Sequence, residues 1–503
     1  MDTNKAKELA AQLAGADILV ASDIDLSNAG SIDISLISSK VIDTYKDRQG
    51  LKILDNATLQ EIISELSKEK APISNPEVEV IRKPDFEPVA KELEAQYTIS
   101  TPNVEGSEGN VDSFVSYFRS RLEQIRHIIE ARSNLSGLLR SIDELKNYMD
   151  GREVAIVGIV NEKVTTKAGN VMVFIEDETG TARVIFSRYP SRQGSLLGEA
   201  EKIINDEVLA VKGKISGQFV IANEVLWPDV PIKERKQSGE KFAIAFLSDL
   251  HVGSKLFMED NFLHFVNWLN GNVEGRKDLA GKVKYIIING DVADGIGVYP
   301  SQERDLAIPD IFMQYKRLME LVEMIPDYIH VFMLPGNHDA VQRAEPQPQL
   351  GSEIINDYNM DNVHMLPNPS YITLHGIEVL AYHGTSLDSI IATIPGMSYA
   401  NPEKAMIELL KRRHLSPIYG GNIIVPSKHD ALTIDKIPDI LTMGHIHKNG
   451  IANYHGVEIV NSGTWQARTE FQIKQGHIPT PCLLPVYDSE NGTFVQIDFN
   501  VKL

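Results

Sequence analysis

Five short segments place imidazole, carboxylate and amide groups directly after apolar runs: Ser248-Asp-Leu-His251, Gly290-Asp-Val-Ala-Asp294, Pro335-Gly-Asn-His-Asp339, His383-Gly384 and Gly444-His-Ile-His447. Asp-x-His and His-x-His set alternate side chains on one side of an extended segment, so each pair can converge on one point. A mixture of His, Asp and Asn suits manganese, iron or zinc better than magnesium or calcium alone. Two such ions about 3.5–4 Å apart can clamp both oxygens of an in-line displacement at phosphorus. The chemistry expected is metal-assisted hydrolysis of a phosphoester. A lone Asp-x-His or Gly-Asp-x-x-Asp is common, and a solitary His-x-His is often structural. Five together, each after its own apolar strand, carry the expectation.

Those strands must position the ligands. Tyr285-Ile-Ile-Ile-Asn289 is too short for a helix and has the β-branched character of a buried parallel strand. Gly290 ends it, and Asp291 and Asp294 then fall at the strand's C-terminal end, where ligands collect in open α/β sheets. Asp291 is the candidate bridging ligand. Phe242–Leu247, His330–Leu334, Ile377–Tyr382 and Ile440–Met443 lead into the other four segments in the same way. Flanking glycines permit the tight turns that aim the ligands inward. His375-Gly376 and His455-Gly456 are rivals for the His-Gly position, but His375 precedes its strand and His455 lies downstream of the His-x-His pair.

The chain is 503 residues long, enough for about three domains. It has no apolar run of membrane-spanning length and no basic-then-apolar leader at Met1. A single cysteine, Cys482, excludes an intrachain disulfide and suits a reducing, cytoplasmic location. The net charge of −20 is the opposite of the basic footprint expected of a protein that binds nucleic acid alone. Any such contact must use a local patch, bound cations or a partner's surface.

Residues 1–70 are expected to be a small, mostly helical accessory module. Lys5–Leu13 favours helix, and Thr58-Leu-Gln-Glu61 suggests a capping box. Residues 71–112, acidic and punctuated by Pro72, Pro76, Pro84, Pro88 and Pro102, have linker composition. In 113–150, Phe114, Phe118, Leu122, Ile125 and Ile129 mark one helical face that Leu135, Leu138, Ile142 and Leu145 continue, with Gly137 a candidate break. Arg119, Arg121, Arg126 and Arg132 there could touch phosphate or form the solvated side of an amphipathic helix. Residues 151–235 show five strands with a helix after the third, the order of an OB-fold barrel, which either binds single strands or serves as a protein adaptor. After a polar joint, residues 241–503 alternate strand, loop, helix and strand.

The order Asp-x-His, Gly-Asp-x-x-Asp, Gly-Asn-His-Asp, His-Gly, Gly-His-x-His resembles the calcineurin-like metallophosphoesterase superfamily. That resemblance implies an α/β sandwich of two packed mixed sheets flanked by helices over 241–503. It implies that Asp249, His251 and His447 bind one divalent ion, that Asn337, His383 and His445 bind the other, and that Asp291 bridges them. His338 would be the general acid or transition-state stabiliser, oriented by Asp294. Tyr299-Pro-Ser-Gln-Glu303, the stretch from Gly336 to Pro348, Arg413-His-Leu-Ser-Pro-Ile-Tyr-Gly420 and Thr464-Trp-Gln-Ala-Arg-Thr-Glu-Phe471 resemble, more narrowly, the small subunits of the archaeal family D DNA polymerases. The resemblance runs from about Ser113 to the carboxyl end.

This family implies a 3′→5′ proofreading exonuclease with two divalent ions, manganese first and iron or zinc as alternatives. Its partners would be a large catalytic polymerase subunit and the 3′ end of a DNA strand. Arg412, Arg413, Lys448 and Arg468 lie near the motif segments in sequence and are candidates for backbone phosphate, with solvated surface charge the alternative. Two other functions are the alternatives: a stand-alone phosphatase or cyclic-nucleotide phosphodiesterase on the same metal core, and an inactive scaffold subunit. The barrel and the family stretches weigh against the first, the filled ligand set against the second.

Overall fold

The computed structural model describes residues 3–16, 18–21, 24–26, 29, 34–46, 52–69, 86–102, 108–131, 135, 137–189, 195–355 and 360–500. The chain divides into two compact units, Met1–Ile81 and Arg82–Leu503. In the first, helices Thr3–Ala14, Ile34–Tyr45 and Asn56–Glu69 pack around Leu9, Leu13, Ile37, Val41, Leu59 and Ile63. The module is not all helical, because Ile18–Val20 and Lys52–Leu54 pair as two parallel strands. The third helix also starts earlier than the expected capping box. Asp55 Oδ1 accepts the Thr58 N–H at 2.8 Å, so a carboxylate three residues upstream caps it.

The second unit contains two six-stranded sheets. One runs Val363–Met365, His330–Leu334, Val283–Asn289, Ala243–Leu247, Leu483–Asp488 and Thr493–Asp498, its first four strands parallel. The other runs Asn449–Tyr454, Val457–Ser462, Ile440–Met443, Ile377–Ala381, Ser370–Leu374 and Tyr97–Ser100. Alternation along each strand builds the layers. Phe242, Ile244, Phe246, Tyr285, Ile287 and Phe332 meet Ile372, Val379, Ala381, Ile440 and Val460 between the sheets. Ala245, Leu247, Ile286, Ile288 and Val331 face the opposite way, onto Phe262, Phe265, Leu318 and Val322 of helices Glu259–Leu269 and Ile311–Glu323. Each fully buried side chain of this kind contributes about 1.5–3 kcal/mol.

The segment expected to be linker is built into this fold at its far end. Tyr97–Ser100 pairs antiparallel with Ser370–Leu374 and closes one sheet edge. Val89–Glu92 forms a short helix whose buried Ala90 carbonyl accepts Lys284 Nζ at 3.1 Å. Proline frequency obscured a strand only four residues long; Pro72, Pro76 and Pro84 lie outside the described residues.

Helix Val111–Glu130, capped by Asn110, buries Tyr117, Arg121, Leu122, Ile125 and Ile129. It does not continue through Leu145. Gly137 adopts a φ of +80°, and Ile142–Asn147 is a separate 3-10 turn with a Ser141/Glu144 capping box. Glu153–Thr165, Val171–Asp177, Gly180–Phe186, Val208–Ser216 and Phe219–Leu226 close a five-stranded barrel, with helix Leu197–Glu201 after the third strand. Its interior is filled by Val154, Ile156, Val173, Val184, Phe186 and Leu209. Among the described residues no helix is long and apolar enough to cross a membrane.

Candidate metal centre

Parallel neighbours within each sheet bring strand ends together, and the five motif segments follow the C-terminal ends of Ala243–Leu247, Val283–Asn289, His330–Leu334, Ile377–Ala381 and Ile440–Met443. The backbone there is contorted. Asp249, His251, Asp291, His445 and His447 all have φ between 49° and 66°. Left-handed backbone of this kind costs roughly 1 kcal/mol or more per residue and persists where surrounding structure enforces it. Glycine is required at two close approaches. A Cβ on Gly336 would lie 2.2 Å from Asp291 Oδ1, and one on Gly444 would lie 2.5 Å from Asp249 Oδ2.

Each central carboxylate spends one oxygen on the backbone and turns the other inward. Asp291 Oδ1 accepts the His338 N–H at 2.8 Å, and its Oδ2 lies 3.4 Å from His383 Nε2 and 3.9 Å from His251 Nε2. Asp249 Oδ2 accepts the His445 N–H at 2.9 Å; its Oδ1 is buried, makes no hydrogen bond, and sits 3.3 Å from His447 Nε2. The Nε2 atoms of His251 and His447 face each other at 3.1 Å. His383 Nδ1 lies 2.7 Å from the Asn289 carbonyl, which fixes the proton there in the neutral ring. Its Nε2 then presents a lone pair to Asn337 Oδ1 at 3.0 Å and Asp291 Oδ2 at 3.4 Å. Lone pairs converging in a buried site repel unless a cation lies among them.

Three overlapping groups could hold such a cation: Asp249, His251 and His447; His251, Asp291 and His338; and Asp291, His383 and His445. Partners outside the centre orient the rings, as is usual around bound metals. His445 Nε2 is 2.9 Å from Asp388 Oδ2, and Gln472 Nε2 is 2.9 Å from His447 Nδ1. The carboxylates favour positive charge in this site, carried on ring protons where no metal competes for the nitrogens. Burial opposes charge on His383, yet Asp291 and Asp249 push it up to about 10. His251 is pushed up to about 9 against the same burial by Asp294, Asp291 and Asp249. Asp291 is held well below the usual carboxylate range, its burial outweighed by His383, His338 and His251.

All seven expected ligands are thus brought to one place, with His338 beside them. One expected role is redistributed. The Asp294 carboxylate stands 3.1 Å from His251 Nδ1 and accepts from Gln302 and Gln466 at 3.0 and 3.2 Å, whereas His338 Nδ1 meets only the Asp294 backbone carbonyl, at 2.8 Å. The rival histidines are elsewhere: His375 packs on Phe242, and His455 Nδ1 lies 2.7 Å from the Val230 carbonyl.

Two expected phosphate contacts are overturned. Arg412 and Arg413 are 1% and 3% exposed. Arg412 Nε pairs with Glu207 at 2.6 Å and its Nη2 donates to the Lys202 carbonyl, which ties the helix Pro402–Arg412 to the barrel. Arg413 donates to the carbonyls of Ile434 and Asp435. Lys448 is half-buried and Arg468 exposed. Arg121, expected either on phosphate or in solvent, is buried against Asp430; Arg126 pairs with Glu178, Arg119 is exposed, and Arg132 lies outside the described residues.

Asp339 was not singled out, although it closes the Gly-Asn-His-Asp segment. Its buried carboxylate accepts the N–H groups of Gly336, Val292 and Ala293 at 2.8, 3.2 and 3.1 Å and the Tyr315 hydroxyl at 3.0 Å. It clamps two motif segments together. Burial and the neighbouring Asp291 push it up to about 6.

Residues 242–479 match the family model for calcineurin-like phosphoesterases. The DNA polymerase II small subunit of Archaeoglobus fulgidus is 41% identical over 468 residues, covering 92% of this chain and 92% of its own. That of Pyrococcus horikoshii is 38% identical over 444 residues, covering 85% and 70%. That of Methanothermobacter thermautotrophicus is 37% identical over 443 residues, covering 87% and 90%.

Proposed function

The chain belongs to the family of DNA polymerase II small subunits, and we propose that it is the 3′→5′ exonuclease of a two-subunit polymerase, hydrolysing DNA phosphodiesters at a two-metal centre. The observation that carries this is the convergence of His383 Nε2, Asn337 Oδ1 and Asp291 Oδ2 beside the unbonded Asp249 Oδ1, an array of acceptors that fits a pair of cations. Asp249, His251 and His447 would hold one ion and Asn337, His383 and His445 the other, with Asp291 available to both. Divalent ions held there, manganese foremost, supply Lewis acidity toward a phosphoryl oxygen.

The chain's own residues do the rest. The Asp294 carboxylate keeps the His251 proton on Nδ1, so that Nε2 faces the centre. The Asp294 carbonyl does the same for His338, whose Nε2 is left for the proton that the departing O3′ takes up. Water's oxygen bonds to phosphorus as the P–O3′ bond breaks. One of its protons accounts for the new O3′–H, and the other goes to the released 5′-monophosphate or to solvent. A positioned acid of this kind contributes about 10²–10⁴-fold.

The five-stranded barrel, in this reading an OB-fold, and the large catalytic subunit supply the remaining DNA surface. The net charge of −20, the burial of Arg412 against Glu207 and that of Arg413 against backbone carbonyls favour a shared electrostatic footprint. The deciding experiment is co-purification with the large subunit, followed by a manganese-dependent assay on a mismatched primer end. Release of nucleoside 5′-monophosphates is expected. Turnover of a chromogenic phosphoester with none on DNA would instead assign a stand-alone phosphatase.

A further inference from the structure

Beside the metal centre a cleft opens whose walls include Asn337 and His338 together with the apolar Ile296, Val298 and Ile311. Ile296 is 51% exposed although it lines the same cleft as Asn337 and His338. Arg343 stands at the rim. It is the one arginine or lysine among the described residues lining the cleft, it is exposed, and among the described residues it makes no ion pair. Its Nη2 donates to the Val298 carbonyl at 3.2 Å, which ties the guanidinium to the cleft wall.

The wall is also tied to the residue that orients His251 and His338. Gln302 accepts the Val298 N–H at 2.9 Å and donates to the Asp294 carbonyl and carboxylate at 2.8 and 3.0 Å. A ligand in the cleft therefore sits in fixed register with the reacting centre.

Resting on the exonuclease reading, we propose that this cleft is the subsite for the penultimate nucleoside of a DNA 3′ end, with Arg343 on the phosphate to its 5′ side. The direction follows from the chemistry. His338 supplies the proton taken by the leaving O3′, so the nucleoside bearing that oxygen lies on the His338 side of the phosphorus, which is where the cleft is. Its apolar walls suit the faces of a base without reading its edges, so removal is independent of sequence. The planar guanidinium suits a phosphate, for which it is the only basic side chain at that rim.

The test uses the polymerase assembled from the full-length chain and its large subunit, with two substrates in manganese. One is a single-stranded oligodeoxynucleotide. The other is thymidine 5′-(p-nitrophenyl phosphate), which presents a terminal nucleotide but no penultimate nucleoside. In Arg343→Ala and, separately, Ile296→Asp, the ratio of kcat/KM for the oligonucleotide to that for the ester is expected to fall about tenfold, mainly through KM, the loss of one charge-assisted contact. An unchanged ratio in both variants, or equal losses on both substrates, overturns the subsite while leaving the exonuclease standing. A native assembly that hydrolyses neither substrate overturns the exonuclease and the subsite with it.

Discussion

The carboxylate of Asp294 lies 3.1 Å from His251 Nδ1, while the same residue offers His338 only its backbone carbonyl. One residue thus orients a candidate ligand and the candidate acid through two different groups, and a side-chain replacement separates them. Asp294→Ala deletes the acceptor that keeps the His251 proton on Nδ1 and leaves the carbonyl facing His338. Metal affinity is expected to fall about 10–100-fold, read by manganese titration, with most of the turnover recovered at saturating metal. Unaltered affinity would show that Asp294 does not orient His251.

His338→Ala should give the opposite separation. His338 has its Nδ1 against a carbonyl, and burial lowers its pKa against the pull of Asp291, while its Nε2 is left toward the centre. Turnover on DNA is expected to drop about 10²–10⁴-fold while manganese binding and assembly with the large subunit persist. Metal and activity lost together would make His338 a ligand and not an acid.

Gly336→Ala probes the centre by sterics alone. The added Cβ would meet Asp291 Oδ1 at 2.2 Å and Asp291 N at 2.5 Å, so the shared ligand must move. Loss of both metal binding and hydrolysis is expected, against little change for Gly198→Ala, whose Cβ meets nothing within 4 Å. Equal behaviour of the two variants in a manganese titration would contradict the crowding seen at Asp291.

The motif segments were legible because each follows a short apolar run, a local pattern; how the donors divide between two ions came from the family resemblance. What escaped was non-local. Asp294 lies three residues from Asp291 in sequence, but which of its groups meets His251 and which meets His338 depends on the crossing of separate segments. Asp339 reads as the tail of a motif until its carboxylate is seen gathering N–H groups from two loops. Arg412 and Arg413 close an amphipathic helix and look like surface charge; Glu207, about two hundred residues earlier, buries the first of them. Tyr97–Ser100 is a strand only because Ser370–Leu374 offers it an edge.

Removing metal should cost stability as well as activity. Ions that bind the folded chain alone stabilise it by about 2.7 kcal/mol when free metal is a hundredfold above Kd. Here they also relieve the repulsion between Asp249 and Asp291. Thermal unfolding of the full chain should therefore shift downward in EDTA and upward with rising manganese. A midpoint indifferent to metal concentration would mean that the acceptor array binds none.

Arg121 and Asp430 test how the helix before the barrel is fastened to the phosphoesterase domain. The pair is 2.8 Å apart and 1% and 0% exposed, with His414 Nε2 also 2.8 Å from Asp430 Oδ2. Burial works against the charge on Asp430, but His414 and Arg121 overcome it and hold the carboxyl far below its ordinary value. A depressed folded pKa contributes stability that is fully present above the unfolded value of about 3.9 and is lost as pH falls toward the folded one. Asp430→Ala strands a buried guanidinium and is expected to cost about 3–5 kcal/mol at neutral pH, while flattening the loss of stability on acidification. The double variant Arg121→Met with Asp430→Leu leaves no lone ion and should recover much of that cost. Urea denaturation of all three proteins at pH 7 and at about pH 3, below the unfolded carboxyl value, reads both effects. A single variant as stable as the parent, or a double variant worse than the single, would show that the pair does not fasten the helix in this way.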